Sequence, residues 1–163
     1  MFKSLLITLI LVSSVFSQEI SINNKSFVFG KSEKEVNSLF TEPGGQIESI
    51  YNYIIVLEFD DGKYTYNAFM YNDKLIGLTV WTGIADNYEG VTELENLIAG
   101  YQPYKEIDQS AELGVASFDY YYDLRDYYLR NSVVRTQSMY DLFPKKYIEE
   151  IRKDHKDFAQ DFF

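Results

Sequence analysis

Side chains with catalytic chemistry are scarce in this sequence. It holds one histidine and no cysteine in 163 residues, whereas a zinc site or a Ser-His-Asp triad needs such side chains in a cluster. The histidine, His155, falls on an apolar helical stripe, a position typical of a packed structural residue. We therefore predict no catalytic residue, no metal site and no cofactor.

Loop carboxylates are the remaining candidates for chemistry. Asp60, Asp61 and the segment 86–90 place acids beside glycine, but neither group has the alternating ligand spacing of an EF-hand loop. This favours turns over calcium sites. Two acids at the right separation could still cleave a glycosidic bond. One alternative function therefore stays open: a small secreted hydrolase or glycan-acting protein that uses loop carboxylates.

A binding surface is the other kind of site, and the segment SFDYYYDLRDYYLRN suits one. On a two-residue period Phe118, Tyr120 and Tyr122 share one strand face, which we predict to be core. Tyr121 falls on the other face, among charged residues. Tyrosine offers a large rigid contact area and a hydroxyl group, which suits a partner-binding patch. The predicted patch comprises Tyr121, Tyr127, Tyr128, Asp119, Asp123 and Arg125. The same residues could instead make cross-strand pairs on a solvated face.

Two stretches with the same order of elements hold this segment. The first unit, 27–82, begins with a helix that Ser32 and Glu35 start as a capping box. Alternating apolar residues then predict three strands, with turns at DDGK and YNDK. The second unit, 88–140, restarts with Thr92 as the expected N-cap. Its strands lie on either side of a turn expected near Asn131.

The chain ends with a predicted amphipathic helix over 144–162. Its apolar residues recur at three- and four-residue steps: Ile148, Ile151, His155, Phe158 and Phe162. The stripe favours a helix packed over the sheet, and the alternative is a dock for another protein of an assembly. The predicted fold class is therefore α+β: an antiparallel sheet from two consecutive helix-plus-meander units, with a C-terminal amphipathic helix.

Residues 1–17 have the form of a secretory signal peptide. Lys3 gives a positive start, an apolar run follows, and Val15 and Ser17 suit a signal peptidase site. The run is shorter than the ~20 residues that a spanning helix needs, which favours cleavage over a membrane anchor. We predict a single domain over 18–163, exported to the periplasm or the cell exterior, with no transmembrane segment in the mature chain.

Charge and composition narrow the choice of partners. A net charge of −10 at pH 7 argues against nucleic-acid binding, because an acidic surface repels phosphate backbones. Without cysteine, an exported domain has to be stable through its core alone. Asn24 begins a glycosylation sequon, which has meaning only in a eukaryotic source. The oligomeric state is left open.

The segment FVFGKSEKEV, followed by strands and YNDKLIGLTVW, resembles the tandem helix-plus-sheet repeat of beta-lactamase inhibitory proteins and SmpA/OmlA-type envelope proteins. The matching residues are Gly30, Ser32, Glu35 and Val36, then Asn72, Asp73, Lys74 and Leu75. The sequence departs from that family in having no lipoprotein cysteine, no cysteine pair within the units and an additional C-terminal helix. The resemblance implies a non-enzymatic protein that binds another protein across an aromatic-rich sheet face.

Residue pattern and resemblance together favour an exported, non-enzymatic binding or envelope-associated protein. We expect it to recognise a protein partner through an aromatic sheet face. The hydrolase is the alternative, and a domain that only supports an assembly through its tail helix is the third hypothesis.

Overall fold

The computed structural model describes residues 18–47, 52–83 and 90–160, and within these ranges the chain is α+β, as the sequence predicts. The predicted signal peptide, 1–17, lies outside the described residues. In chain order the elements are β1 (Glu19–Ile22), β2 (Lys25–Val28), α1 (Glu33–Asn37), β3 (Gly45–Ile47), β4 (Ile55–Asp60), β5 (Tyr64–Tyr71), β6 (Lys74–Thr82), α2 (Thr92–Ile98), β7 (Lys105–Asp108), α3 (Ser110–Leu113), β8 (Ser117–Asp123), β9 (Tyr127–Val134), β10 (Gln137–Pro144) and α4 (Lys145–Ile151).

Eight of the strands form one antiparallel sheet in the order β3-β4-β5-β6-β10-β9-β8-β7. Each half of this order is a meander of four consecutive strands. Since α1 precedes the first meander and α2 the second, the predicted order of helix then meander, twice, is confirmed. Each meander has one more strand than expected. The additional strands are β3 and β7 at the sheet edges, which are too short to show a clear alternation.

β6 and β10 join the two meanders, and we call this pairing the seam. Leu78, Thr79, Val80 and Trp81 face Leu142, Asp141, Tyr140 and Met139 in that order. Because side chains alternate along a strand, Leu78 and Val80 point to one face, the core face. Thr79 and Trp81 point to the other, the outer face. The seam residues of the core face have no exposed surface: Leu78, Val80, Tyr140 and Leu142.

The core face is covered by the β1–β2 hairpin and by α1. The ring of Phe27 on β2 lies 5.4 Å from that of Tyr66 on β5. Phe40, just after α1, stacks on Phe59 with ring centroids 4.2 Å apart. Leu94 of α2 is buried in the same cluster. The core is thus an aromatic-rich layer between these elements and the sheet.

The two predicted helix caps have different outcomes. Ser32 caps α1, and the Glu35 side chain accepts from the Ser32 backbone N–H at 2.9 Å, so the capping box is confirmed. The prediction for α2 is wrong, because Val91 stands at the N-cap and Thr92 is the first helical residue. Val91 is fully buried, and packing of its side chain fixes where α2 begins.

The predicted turn near Asn131 is also wrong. β9 continues to Val134, and the turn falls at Arg135, whose φ is +55°. Asn131 is buried and lies opposite Tyr140 and Tyr120 on the two neighbouring strands. Pairing on both sides overrides the turn preference of asparagine.

The C-terminal helix is shorter than the predicted 144–162. α4 ends at Ile151, and residues 152–160 form turns. Asp154 and His155 are weak helix formers, and His155 instead stacks on Tyr53 at 3.5 Å between ring centroids. Packing of the apolar stripe against the protein is confirmed for its buried members, Ile148, Ile151 and Phe158. Phe162 lies outside the described residues.

Aromatic rings fill one end of the outer face. Phe158 of the tail lies 6.3 Å from Phe143 of β10, measured between ring centroids. Phe143 in turn packs 5.1 Å from Phe69 of β5. Gly77 of β6 makes room for this cluster, because a Cβ atom there would lie 2.1 Å from the Phe143 ring. The tail therefore closes this end of the sheet.

Asp61, in the turn between β4 and β5, ties the hairpin to the sheet. Its Oδ2 accepts from Asn23 Nδ2 at 2.8 Å, from Lys25 Nζ at 2.7 Å and from Tyr66 Oη at 2.7 Å. Its Oδ1 accepts from two backbone N–H groups of its own turn. Burial raises the pKa of Asp61, but Lys25 and the other donors outweigh it and hold the pKa well below its usual range.

Replacement of Asp61 by asparagine should lower the free energy of unfolding by about 3 kcal/mol, because Lys25 stays charged and loses its partner. Since the folded-state pKa is lowered, the stabilisation is present above the unfolded-state pKa near 4. It is lost as the pH falls towards the folded-state value. Urea unfolding of wild type and Asp61→Asn should therefore give a difference that shrinks below about pH 4.

The matched control is Asp60→Asn, in the same turn but exposed, which should cost less than about 1 kcal/mol. Equal losses for the two variants would contradict this role of Asp61.

Candidate functional site

A polar row crosses the outer face of the sheet from one meander to the other. Residues that lie opposite each other on neighbouring strands share a face, and the strand register places one such set side by side. In order across the sheet the row is Glu58, Asn67, Thr79, Asp141, Arg130, Tyr121 and Lys105. Its centre lies on the seam.

Asp141 is the centre of this row. Thr79 Oγ1 donates to its Oδ1 at 2.5 Å, and Arg130 donates to its Oδ2 from Nε at 2.7 Å and from Nη2 at 2.6 Å. The carboxylate is 2% exposed. Burial raises the pKa of Asp141, against the opposing effect of Arg130 and Thr79. Burial also lowers the pKa of Arg130, but the attraction of Asp141 outweighs it and raises the pKa.

Tyr121 extends the same network and is not an exposed contact residue. It makes a side-chain hydrogen bond with Arg130. The Lys105 ammonium lies 4.4 Å from its ring centroid, and the Tyr104 ring lies 6.4 Å away. Tyr121 is consequently only 4% exposed.

The alternation predicted for β8 is correct, but the assignment of buried and exposed faces is wrong. Tyr121 and Asp119 are buried on the outer face, whereas the predicted core residues are only half-buried: Phe118, Tyr120 and Tyr122. The β1–β2 hairpin and α1 lie over the first meander and leave this part of the core face less covered. On the outer face, Tyr104, Lys105 and Arg130 enclose Tyr121.

The structure places the other members of the predicted patch in three locations. Asp123 and Tyr128 share the outer face with Tyr121, and Lys145 pairs with Asp123 while lying 5.1 Å over the Tyr128 ring. Tyr127 lies on the core face, 6.0 Å from Phe29 between ring centroids. Arg125 is exposed in the β8–β9 turn. The predicted patch is therefore not one continuous surface.

An apolar hollow beside the polar row escaped the sequence reasoning. It has a volume of about 170 Å³. Its lining residues are Trp81, Ser132, Val134, Gln137 and Met139. Trp81, the only tryptophan of the chain, is 38% exposed there. The sequence does contain a signal for this position of Trp81. It lies one residue after Val80 and three after Leu78, and along a strand an odd number of residues places a side chain on the opposite face.

Side-chain hydrogen bonds fix the wall of this hollow. Thr82 Oγ1 accepts from the Ser138 backbone N–H at 2.8 Å and donates to the Ser138 carbonyl at 3.2 Å. Gln137 Nε2 donates to the Thr82 carbonyl at 3.1 Å. These bonds continue the seam beyond its last backbone pair, so Gln137 and Met139 are held on rigid strands.

Two of the predicted candidates for chemistry, Asp61 and His155, have structural partners. Asp61 is occupied by five donors, and His155 is stacked on Tyr53. The acids of the segment 86–89 lie outside the described residues. Within the described ranges no group of three or more metal-ligating side chains occurs. None of the helices in these ranges has the length and apolar content needed to cross a bilayer.

No protein-family model, no curated protein and no solved structure matches this chain. The resemblance to beta-lactamase inhibitory proteins and SmpA/OmlA-type envelope proteins therefore stays a prediction. A function has to be argued from the geometry of the seam itself.

The Asp141–Arg130 pair should contribute little net stability, because desolvation of two buried charges offsets their attraction. Asp141→Asn alone should lower the free energy of unfolding by about 3 kcal/mol, since it leaves the Arg130 charge without its partner. The double variant Arg130→Met/Asp141→Asn removes that charge and should recover to within about 1 kcal/mol of wild type. Urea denaturation of the four proteins of this cycle measures both values. A double variant at least as unstable as Asp141→Asn alone would show that the pair itself stabilises the fold.

Proposed function

We propose that this chain is a non-enzymatic binding protein that recognises a protein partner through the outer face of its sheet, at the seam. The observation that carries the proposal is the position of Trp81. It is a half-exposed tryptophan near the end of β6, a central strand of the sheet, and it borders an apolar hollow. Tryptophan is among the residues that dominate the binding energy of protein interfaces.

The size of the hollow favours an inserted side chain over a small molecule. Its volume of about 170 Å³ is below the ~300–1,000 Å³ typical of small-molecule sites. Its wall is mostly apolar, with Ser132 and Gln137 as the polar members. The partner we infer presents one protruding apolar side chain, with polar groups around it to meet the rim.

The hydrogen bonds of the polar row hold the side chains beside this surface in a fixed arrangement. Arg130 is held by Asp141, which is held by Thr79 across the seam. A buried ion pair of this kind is weak support for stability, so its role here is to keep side chains beside Trp81 in one arrangement. Binding surfaces built on rigid elements lose less entropy when the partner docks.

The residues of the proposed binding surface differ from those of the patch predicted from the sequence. Tyr121 and Asp119 are buried supports, and Trp81 with Met139 supplies the contact surface. Export to the periplasm or the cell exterior is part of the proposal and rests on the sequence of residues 1–17. Of the loop carboxylates on which the hydrolase alternative rests, Asp61 accepts from five donors, and the acids of 86–89 lie outside the described residues.

A photo-crosslinking side chain placed at Met139 tests the proposal in the cells that express the protein. We expect one discrete protein adduct from position 139 and none from Tyr101, an exposed aromatic after α2 that serves as the control position. Trp81→Ala should abolish the adduct, since loss of a central aromatic anchor costs at least about 2 kcal/mol, or ~30-fold in affinity. Because more than half of the Trp81 side chain is buried, the change should also lower the urea midpoint, but the variant should keep the circular dichroism spectrum of the folded protein. The same adducts from both positions, or an adduct that Trp81→Ala does not affect, would refute the seam as the binding surface.

A further inference from the structure

Three lysines from distant parts of the chain line one hollow, which lies at the opposite end of β6 from Trp81. This lysine hollow has a volume of about 320 Å³. Its lining residues are Val28, Phe29, Gly30, Lys31, Lys74, Lys146 and Tyr147. Clustering of cations is unexpected in a chain whose net charge is −10, because like charges raise each other's energy.

Backbone pairing brings the first two lysines together. The Gly30 N–H donates to the Leu75 carbonyl at 2.8 Å, and the Leu75 N–H donates to the Lys31 carbonyl at 2.8 Å. The segment after the hairpin is thereby locked to the start of β6. Lys31 and Lys74, the residue before Leu75, consequently border the same hollow.

Close packing of α4 brings the third lysine, Lys146, to the hollow. Gly30 has φ +93°, and a Cβ atom there would lie 2.3 Å from the Tyr147 hydroxyl oxygen. Only glycine therefore lets Tyr147 approach this backbone. Lys146 precedes Tyr147, and its ammonium lies 4.6 Å from the Tyr147 ring centroid. The three lysines are thus set by the fold and not by a flexible loop.

Carboxylates satisfy only part of this positive charge. Lys31 pairs with Glu35 at 2.6 Å, and both side chains are about half exposed. Within the described ranges, neither Lys74 nor Lys146 has a carboxylate oxygen within 4.0 Å. Burial raises the pKa of Tyr147, which lines the hollow, and the negative charge of Glu150 adds to this while Lys74 opposes it. Two ammonium groups are therefore available to a ligand.

We propose that the lysine hollow binds a phosphate group. A tetrahedral dianion can meet several ammonium donors at once, and each contact is charge-assisted. The volume is at the lower end of that of small-molecule sites, which suits a phosphate with a small substituent. Lys146 also lines an adjoining hollow with Arg125 and Asp126, whose opposite charges offset each other.

The phosphate could belong to a soluble phosphomonoester or to a lipid headgroup. The net charge of −10 opposes approach to an anionic membrane, where surface attraction requires an excess of lysine and arginine. A soluble ligand is therefore the expected source. This site is independent of the seam and of its proposed partner.

Amide chemical-shift titration of the full mature chain with inorganic phosphate tests the proposal, with sodium chloride at equal ionic strength as the reference. We expect saturable shifts at Gly30, Lys31, Lys74 and Tyr147 and none at Trp81. Lys74→Gln/Lys146→Gln should weaken binding at least five-fold. Lys156→Gln, an exposed lysine outside the hollow, should not change it. The three substitutions in these two variants change only exposed side chains, so both variants should keep the wild-type spectrum elsewhere.

Vesicle co-sedimentation distinguishes the two sources of the phosphate, a soluble phosphomonoester and a lipid headgroup. Vesicles of 30% phosphatidate in phosphatidylcholine should not bind the protein if the ligand is soluble. Sedimentation that the double lysine variant loses and Lys156→Gln keeps would assign the phosphate to a lipid headgroup. The proposal is overturned if phosphate causes no saturable shifts and no lysine-dependent sedimentation occurs. It is also overturned if wild type and the double variant bind equally.

Discussion

The pairing of β6 with β10 is the interaction on which the rest of this structure depends. Without it the chain would form two separate four-stranded meanders, each with an unpaired edge. The seam buries Leu78 against Leu142 and Val80 against Tyr140, and burial of a large apolar side chain contributes about 1.5–3 kcal/mol. Apolar packing on the core face therefore holds the two units together.

The outer face of the seam is under a different constraint. Here the paired residues include Thr79 and Asp141, whose hydrogen bond joins positions 62 residues apart in the chain. A carboxylate that is 2% exposed is costly in free energy even with Arg130 beside it. Apolar residues of the same size would hold the seam at least as well. Stability of the sheet therefore does not account for the polar row, and we propose that it serves the binding surface at the hollow beside Trp81.

Local patterns in the sequence were sufficient for the helix-then-meander order of the two units, but not for the β1–β2 hairpin, for α3 or for the edge strands β3 and β7. Period-two alternation identified the strands, and the Ser32–Glu35 capping box identified the start of α1, because both signals act over a few residues. The burial of β8 could not be derived in this way. Alternation separates Tyr121 from Tyr120, but which of the two is buried depends on what the chain folds over each face.

Long-range proximity accounts for what the sequence did not reveal. The pairing of Trp81 with Met139 and the meeting of Lys31, Lys74 and Lys146 both join residues far apart in the chain. No short sequence motif predicts either of these arrangements. The turn preference of Asn131 and the helical spacing of the tail were local signals that tertiary pairing and ring stacking overrode.

Native-state hydrogen exchange measures most directly whether the seam makes the two meanders one cooperative unit. If it does, the amides at the centres of β5 and β9, on either side of the seam, will open with the same free energy, within about 0.5 kcal/mol. They will also respond alike to small additions of urea. If the β9 amides open at a distinctly lower free energy while those of β5 stay protected, the meanders are separate units, and the seam does not have the role assigned to it.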